Sequence, residues 1–177
     1  MTNIRRVITG HRDNKAVFVR DENVPRAHDF VHVPGMSMAL IWATSPAPAI
    51  ASQADPIDAA STFIPPLGET RLFVVTFAPD AVMGAAGFDG AAAGRENAEH
   101  CPDIAAKIEP DNPGMHRTDT VDYAIVLSGE VWLELDDGQT KHLKANDVVI
   151  QNGTRHAWRN RSAAPVTVAF VMVGASR

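Results

Sequence analysis

The stretch PGMHRTDTVDYAIVLSGE, residues 113–130, decides the reading of this chain, together with its later counterpart NDVVIQNGTRHAWRN, residues 146–160. Both segments read as β-strands bounded by turn residues. Along a strand, side chains alternate between faces with period two. His116, Thr118, Thr120, Asp122, Ala124 and Val126 therefore fall on one face of the first strand, and Thr154, His156, Trp158 and Asn160 on one face of the second. Two imidazoles and a carboxylate on facing strands form a donor set for a divalent metal, with coordination positions left open for a substrate.

Outward from these motifs, strand signals follow one another closely. Residues 120–127 read as one strand, closed by Ser128, Gly129 and Glu130. Residues 131–135 and 140–143 pair across Asp136, Asp137, Gly138 and Gln139, because Asp-Gly favours a tight hairpin turn. Residues 147–151, 157–160 and 165–173 complete the set. Short strands separated by turn signals at about 8–12 residues predict an antiparallel sandwich or barrel.

The two motifs resemble the paired signatures of the cupin superfamily. In the first signature a His-x-His pair is followed by an acidic residue and then a glycine; His116, Arg117, Thr118, Asp122 and Gly129 occupy that frame. In the second, Asn146, Asp147, Gln151, Asn152, Gly153, His156 and Asn160 follow the corresponding spacing. Thr118 stands where the family has its second histidine, Asp122 for glutamate, Asn146 for glycine and Gln151 for proline. The resemblance implies an all-β, double-stranded β-helix (jelly-roll) barrel over residues 71–177. Residues 1–70 then form an N-terminal strand extension, packed on the barrel or swapped between two of them.

The resemblance also implies one divalent ion (Zn, Fe, Mn or Ni) on His116, Asp122 and His156. The Thr118 hydroxyl is the catalytic candidate, placed to hold a metal-bound water, while Trp158 and Asn160 are the substrate-binding candidates. Such an ion acts as a Lewis acid on a carbonyl or enolate, or lowers the pKa of a bound water. The expected activity is a metal-dependent, lyase- or isomerase-type reaction on a small oxygenated organic molecule: isomerisation, dehydration or decarboxylation. The alternatives are a non-catalytic cupin that binds a small ligand and an iron-dependent dioxygenase. Cupins are commonly dimers, so a homodimer is expected, its N-terminal segment crossing or extending the partner's sheet.

Earlier in the chain, residues 16–20 (AVFVR), 38–43 (MALIWA) and 71–78 (RLFVVTFA) read as strands. Residues 45–66 carry five prolines and read as a loop or wrapping arm. Residues 81–94 are almost all small and offer little apolar bulk for a core. Residues 95–107 suit a short helix, interrupted at Pro102. The segment 81–113 precedes the first ligand strand and is placed to cover the barrel mouth as a lid, with Arg95, Glu96 and His100 within reach of a substrate.

Composition sets outer bounds. The 177 residues suit one domain, and a hydrophobic fraction of 45% with 21% charged residues is ordinary for a globular protein. A formal charge of −5 argues against nucleic-acid binding. The stretch Met36–Ala43, apolar but for Ser37, is far too short to span a bilayer, which takes about 20 residues. One cysteine, Cys101, allows no intrachain disulfide, so a cytoplasmic protein is expected. The adjacent His100 and Cys101 lack the second Cys/His pair of a zinc site. Arg155, Arg159 and Arg161 fall opposite His156 in parity and read as a solvated rim.

Overall fold

The computed structural model describes residues 3–50, 55–57 and 62–177. Its strands follow from runs of β-branched and aromatic residues broken by turn formers. In chain order they are β1 (Arg5–Arg12), β2 (Lys15–Asn23), β3 (Arg26–Asp29), β4 (Ser37–Thr44) and β5 (Thr70–Phe77). Three helices come next: α1 (Asp80–Met83), α2 (Gly90–His100) and α3 (Pro102–Ala105). The remaining strands are β6 (Thr120–Ser128), β7 (Glu130–Glu134), β8 (Thr140–Lys144), β9 (Val148–Asn152), β10 (Ala157–Arg159) and β11 (Val166–Gly174). Among the described residues strands make up 46% and helices 13%; the protein is mostly β, and the jelly-roll fold of cupins fits it.

A six-stranded sheet runs β3-β4-β5-β11-β6-β9, and a three-stranded sheet runs β10-β7-β8. Trp158 on β10 meets Phe170 on β11 edge-to-face, with centroids 5.4 Å apart, which joins the two sheets. Alternation holds along β11, where Val166, Val168, Phe170 and Met172 are buried and the residues between them are not. Along β6 the inward set is Thr120, Asp122, Ala124 and Val126, the parity expected from the sequence. Gly129, at φ 76°, turns the chain from β6 into β7, and a Cβ there would lie 3.1 Å from the Pro165 carbonyl oxygen. Asp137 and Gly138 also take positive φ, as the tight turn between β7 and β8 requires.

The N-terminal region contributes in two ways. β3 and β4 extend the six-stranded sheet within the same chain, whereas β1 and β2 form a separate hairpin. Arg6, buried at 5% exposure, fastens that hairpin: its guanidinium donates to Glu22, to Asp55 and to the Ile41 carbonyl on β4. Of the proline-rich arm at 45–66, residues 51–54 and 58–61 lie outside the described residues, and the rest has no helix or strand.

The helical region departs from the sequence expectation. The helix expected over residues 95–107 begins earlier, at Gly90, and stops at His100, with Pro102 opening the next short helix. Asp89 caps α2, its carboxylate accepting from the Ala92 amide at 2.9 Å. Residues 81–94 do anchor the core, because Ala92 and Ala93 are buried and Phe88 packs against the main cluster. Small side chains let the helix approach closely, so bulk was the wrong criterion. Among the described residues no helix is long and apolar enough to cross a membrane.

Candidate functional site

His116 lies just before β6 and His156 just before β10. Each donates its backbone N–H to the other's carbonyl at 2.9 Å, an antiparallel pair that ties the two motifs together. The side chains consequently stand on the same side, with ring centroids 4.4 Å apart. The His116 Nδ1 lies 2.9 Å from the Gly114 carbonyl oxygen, and the His156 Nδ1 lies 3.0 Å from the Thr154 carbonyl oxygen. A carbonyl only accepts, so in both rings Nδ1 carries the proton and Nε2 keeps its lone pair. This second hydrogen bond is how proteins fix the tautomer of a metal-binding imidazole.

Burial keeps both rings neutral. It lowers the His116 pKa against the opposing pull of the Gly114 carbonyl. For His156, burial and the neighbouring His116 together lower it to about 4. Asp122 responds in the opposite sense: burial pushes its carboxyl up to about 6, against the Thr120 hydroxyl, which favours the charge. Its Oδ1 is buried without a hydrogen-bond partner among the described residues. The Thr118 and Thr120 hydroxyls, both buried, pair with each other at 2.8 Å.

These side chains open onto a cavity of about 870 Å³, lined among others by His116, Thr118, Asp122, His156 and Trp158. Two expectations need correction. Asn160 is not among the described residues lining this cavity: its amide nitrogen donates to the Phe77 and Ala164 carbonyls, and its oxygen accepts from Ser162. It fastens the loop between β10 and β11 instead. Arg159 does line the cavity, but its guanidinium is committed to Glu134, Asn112 and the Pro113 carbonyl. Arg155 is likewise held by Glu109 and Asp136.

The donor set fits a divalent ion in part. Two imidazoles present unprotonated Nε2 atoms, and a carboxylate oxygen without a partner lines the same cavity. Yet among the described residues no group of three or more His, Cys, Asp or Glu side chains is gathered closely enough to hold a metal ion. His116 and His156 are the assembled part of the site. Asp122 shares the cavity without closing the set.

Sequence reasoning missed the role of Glu96. Its carboxylate accepts from the Val31 and His32 amides at 2.8 and 2.9 Å and bonds to the His28 ring at 2.9 Å. Although burial disfavours its charge, these donors hold its pKa at about 2. Glu96 thus fastens α2 to the turn after β3 rather than meeting a substrate. Its position on the same helical face as Ala92 and Ala93 was the available signal. His100 stacks on His28 at 3.4 Å, and Cys101 is fully buried, with its thiol pushed up to about 12 by burial and by Asp103.

Residues 106–173 match the family model described as Cupin_2, cupin domain. In that part the chain is a cupin, as its two motifs led us to expect. Among relatives, phomopsin biosynthesis cluster protein C' of Diaporthe leptostromiformis is 56% identical over 48 residues, 27% of this chain and 25% of that one. A cupin-domain-containing oxidoreductase of Hypocrea virens is 41% identical over 46 residues, 26% and 24% of the two chains. The matched region spans about a quarter of the length of these curated relatives. Among solved structures, the Cupin_2 domain of an XRE family transcriptional regulator from Enterobacter cloacae is 16% identical, covering 80% of this chain and 99% of that one, at a TM-score of 0.41.

Proposed function

We propose that this protein is a metal-dependent cupin enzyme acting on an oxygenated organic molecule, with His116 and His156 as its metal-binding pair. The observation that carries this reading is the matched arrangement of the two rings, each with Nδ1 anchored to a carbonyl and Nε2 left to bind. A divalent ion supplies Lewis acidity toward a carbonyl or hydroxyl oxygen when bound. The chain's own residues supply the rest. Asp122 is the third donor in this reading; without a bound cation, its pKa of about 6 suits it to hold or release a proton inside the cavity. The Thr118–Thr120 hydroxyl pair orients a polar group beside it. Trp158 packs against His156, centroids 6.1 Å apart, and keeps water from one side of the ring.

A Lewis-acid isomerisation, dehydration or decarboxylation is the leading chemistry. Oxidation of the same class of molecule is the second reading, favoured by the Hypocrea virens relative, whose name is that of an oxidoreductase. Metal analysis of freshly purified protein, followed by turnover assays with and without chelator under air and under nitrogen, tests both. Chelator-sensitive turnover that persists without oxygen supports the first. Dependence on oxygen supports the second, and turnover indifferent to chelator removes the metal from both. We also propose that the protein works as a homodimer.

A further inference from the structure

The cavity beside the histidine pair has a distinct shape and charge. From His156 a run of aromatic rings leads inward: Trp158 at 6.1 Å, then Phe170 at 5.4 Å from Trp158, then Phe73 stacked at 5.2 Å from Phe170. Phe30, Phe88 and Ile104 line other parts of the same cavity. Polar groups gather where His116, Thr118, Asp122 and His156 meet it. At about 870 Å³ it lies toward the upper end of the range of about 300–1,000 Å³ for sites that enclose drug-sized molecules.

Charge narrows the choice further. Among the described residues that line the cavity, Arg159 is the one lysine or arginine, and each of its three guanidinium nitrogens already donates once, to Glu134, Asn112 and the Pro113 carbonyl. Glu109 and Asp80 also border the cavity. Glu109 is paired with Arg155, and Asp80 accepts from the Asn160 amide at 3.1 Å. Of the protein's own side chains, an anionic ligand meets one arginine already paired with Glu134 and two carboxylates at the wall, so a bound metal ion alone would have to offset its charge. A buried charge without a partner is costly.

We infer that the site takes a bulky, uncharged, mainly apolar molecule carrying a single carbonyl or hydroxyl end, rather than a small hydroxy acid, which narrows the proposed chemistry to isomerisation or dehydration and leaves out decarboxylation. A hydroxyl end donates to the Asp122 Oδ1, whereas a carbonyl end, which can only accept, faces the Thr118 and Thr120 hydroxyls or a bound metal ion. The apolar body lies along Trp158, Phe170 and Phe73, with α2 closing the far side. Gly94 on α2 borders the cavity at an exposed position, and a Cβ added there meets no atom within 4 Å, so a larger side chain can be accommodated. This inference rests on the proposed function for the placement of the reacting end, but not for binding of the apolar body.

The test uses three probes on the purified protein: a phenyl-substituted naphthyl methyl ketone, the carboxylate of the same skeleton, and hydroxyacetone. Affinities are measured by calorimetry, and metal content is determined on the same samples. The ketone is expected to bind best, with the carboxylate and hydroxyacetone each about tenfold or more weaker. Gly94→Leu, which favours the helix and stays folded by near-ultraviolet circular dichroism, is expected to weaken the ketone about tenfold at unchanged metal content. Equal or tighter binding of the carboxylate or hydroxyacetone overturns the inference, as does wild-type ketone affinity in Gly94→Leu. Metal-free protein that still prefers the ketone and still responds to Gly94→Leu removes only the metal from the proposed function. Metal-loaded protein without that preference removes only this inference.

Discussion

Asp122 on β6 and Gln151 on β9 stand opposite each other in register, both 4% exposed, and each keeps a polar side-chain atom without a hydrogen-bond partner among the described residues. Two orphaned groups side by side in an interior are costly, since each unsatisfied atom disfavours folding by about 1–3 kcal/mol. Proteins tolerate such groups where function needs them, and the cavity beside Asp122 supplies the reason here.

Asp122 and the histidines give the metal-free protein opposing pH dependences. The Asp122 pKa is raised from 3.8 to about 6 on folding, so the native state binds more protons than the unfolded chain between those values. Its contribution to stability therefore falls as pH rises from 3.8 to 6. The His156 pKa is lowered from 6.5 to about 4, so its contribution falls as pH drops through that window. Denaturant titrations across pH 4–8 should show Asp122→Asn gaining at most about 3 kcal/mol over wild type at pH 8, and little at pH 4. His156→Gln should flatten the loss on acidification. An Asp122→Asn gain that does not depend on pH would contradict the raised pKa.

Metal binding should depend on the two rings together. His116→Ala or His156→Ala is expected to lose most bound ion and retain the wild-type circular dichroism spectrum. Because burial holds the His156 imidazole neutral down to about pH 4, while the Asp122 carboxyl is raised to about 6, affinity should fall near pH 6 through protonation of Asp122 rather than of His156. Asp122→Asn should weaken binding and abolish that step. Competition titrations with a chromogenic chelator from pH 5 to 8 measure both effects.

Glu96 should govern how firmly α2 is held. Glu96→Ala removes the acceptor of the Val31 and His32 amides and is expected to cost roughly 2 kcal/mol. Since its folded pKa of about 2 lies below the ordinary 4.5, its contribution is complete above 4.5 and is lost as pH falls toward 2. Amide hydrogen exchange should quicken in α2 and at residues 31–32, and not in β7 or β8. Uniform quickening over the whole chain would mean that Glu96 stabilises the fold globally instead.

The proposed homodimer has a surface suited to it. On the outer side of the six-stranded sheet, Leu72, Val171, Tyr123 and Ile150 line up in register across β5, β11, β6 and β9. Tyr123, Val148 and Ile150 are 46%, 58% and 50% exposed, and a contiguous apolar patch of this kind marks an interaction face. Light scattering should give twice the 19.0 kDa chain mass at micromolar concentration, and Ile150→Lys should return the monomer. A wild-type monomer at that concentration would refute the dimer.

The sequence by itself determined whatever depends on neighbours along the chain. Period-two alternation placed Thr120, Asp122, Ala124 and Val126 inward, and Asp-Gly turned β7 into β8. Motif spacing made partners of His116 and His156. These are local rules of backbone geometry, and no distant contact overrides them here. What lies between distant segments was decided only by the tertiary structure. Asn160 belongs by parity to the site, yet Phe77, more than 80 residues away, engages its amide. Glu96 is a surface-like charge in a helical segment until the Val31 and His32 amides meet it across 65 and 64 residues. Likewise the small residues of α2 read as too slight for a core, because their contribution is the closeness they permit rather than the volume they fill. The cavity has the same origin: its walls come from both sheets and the helices, and its shape exists only once they are packed together.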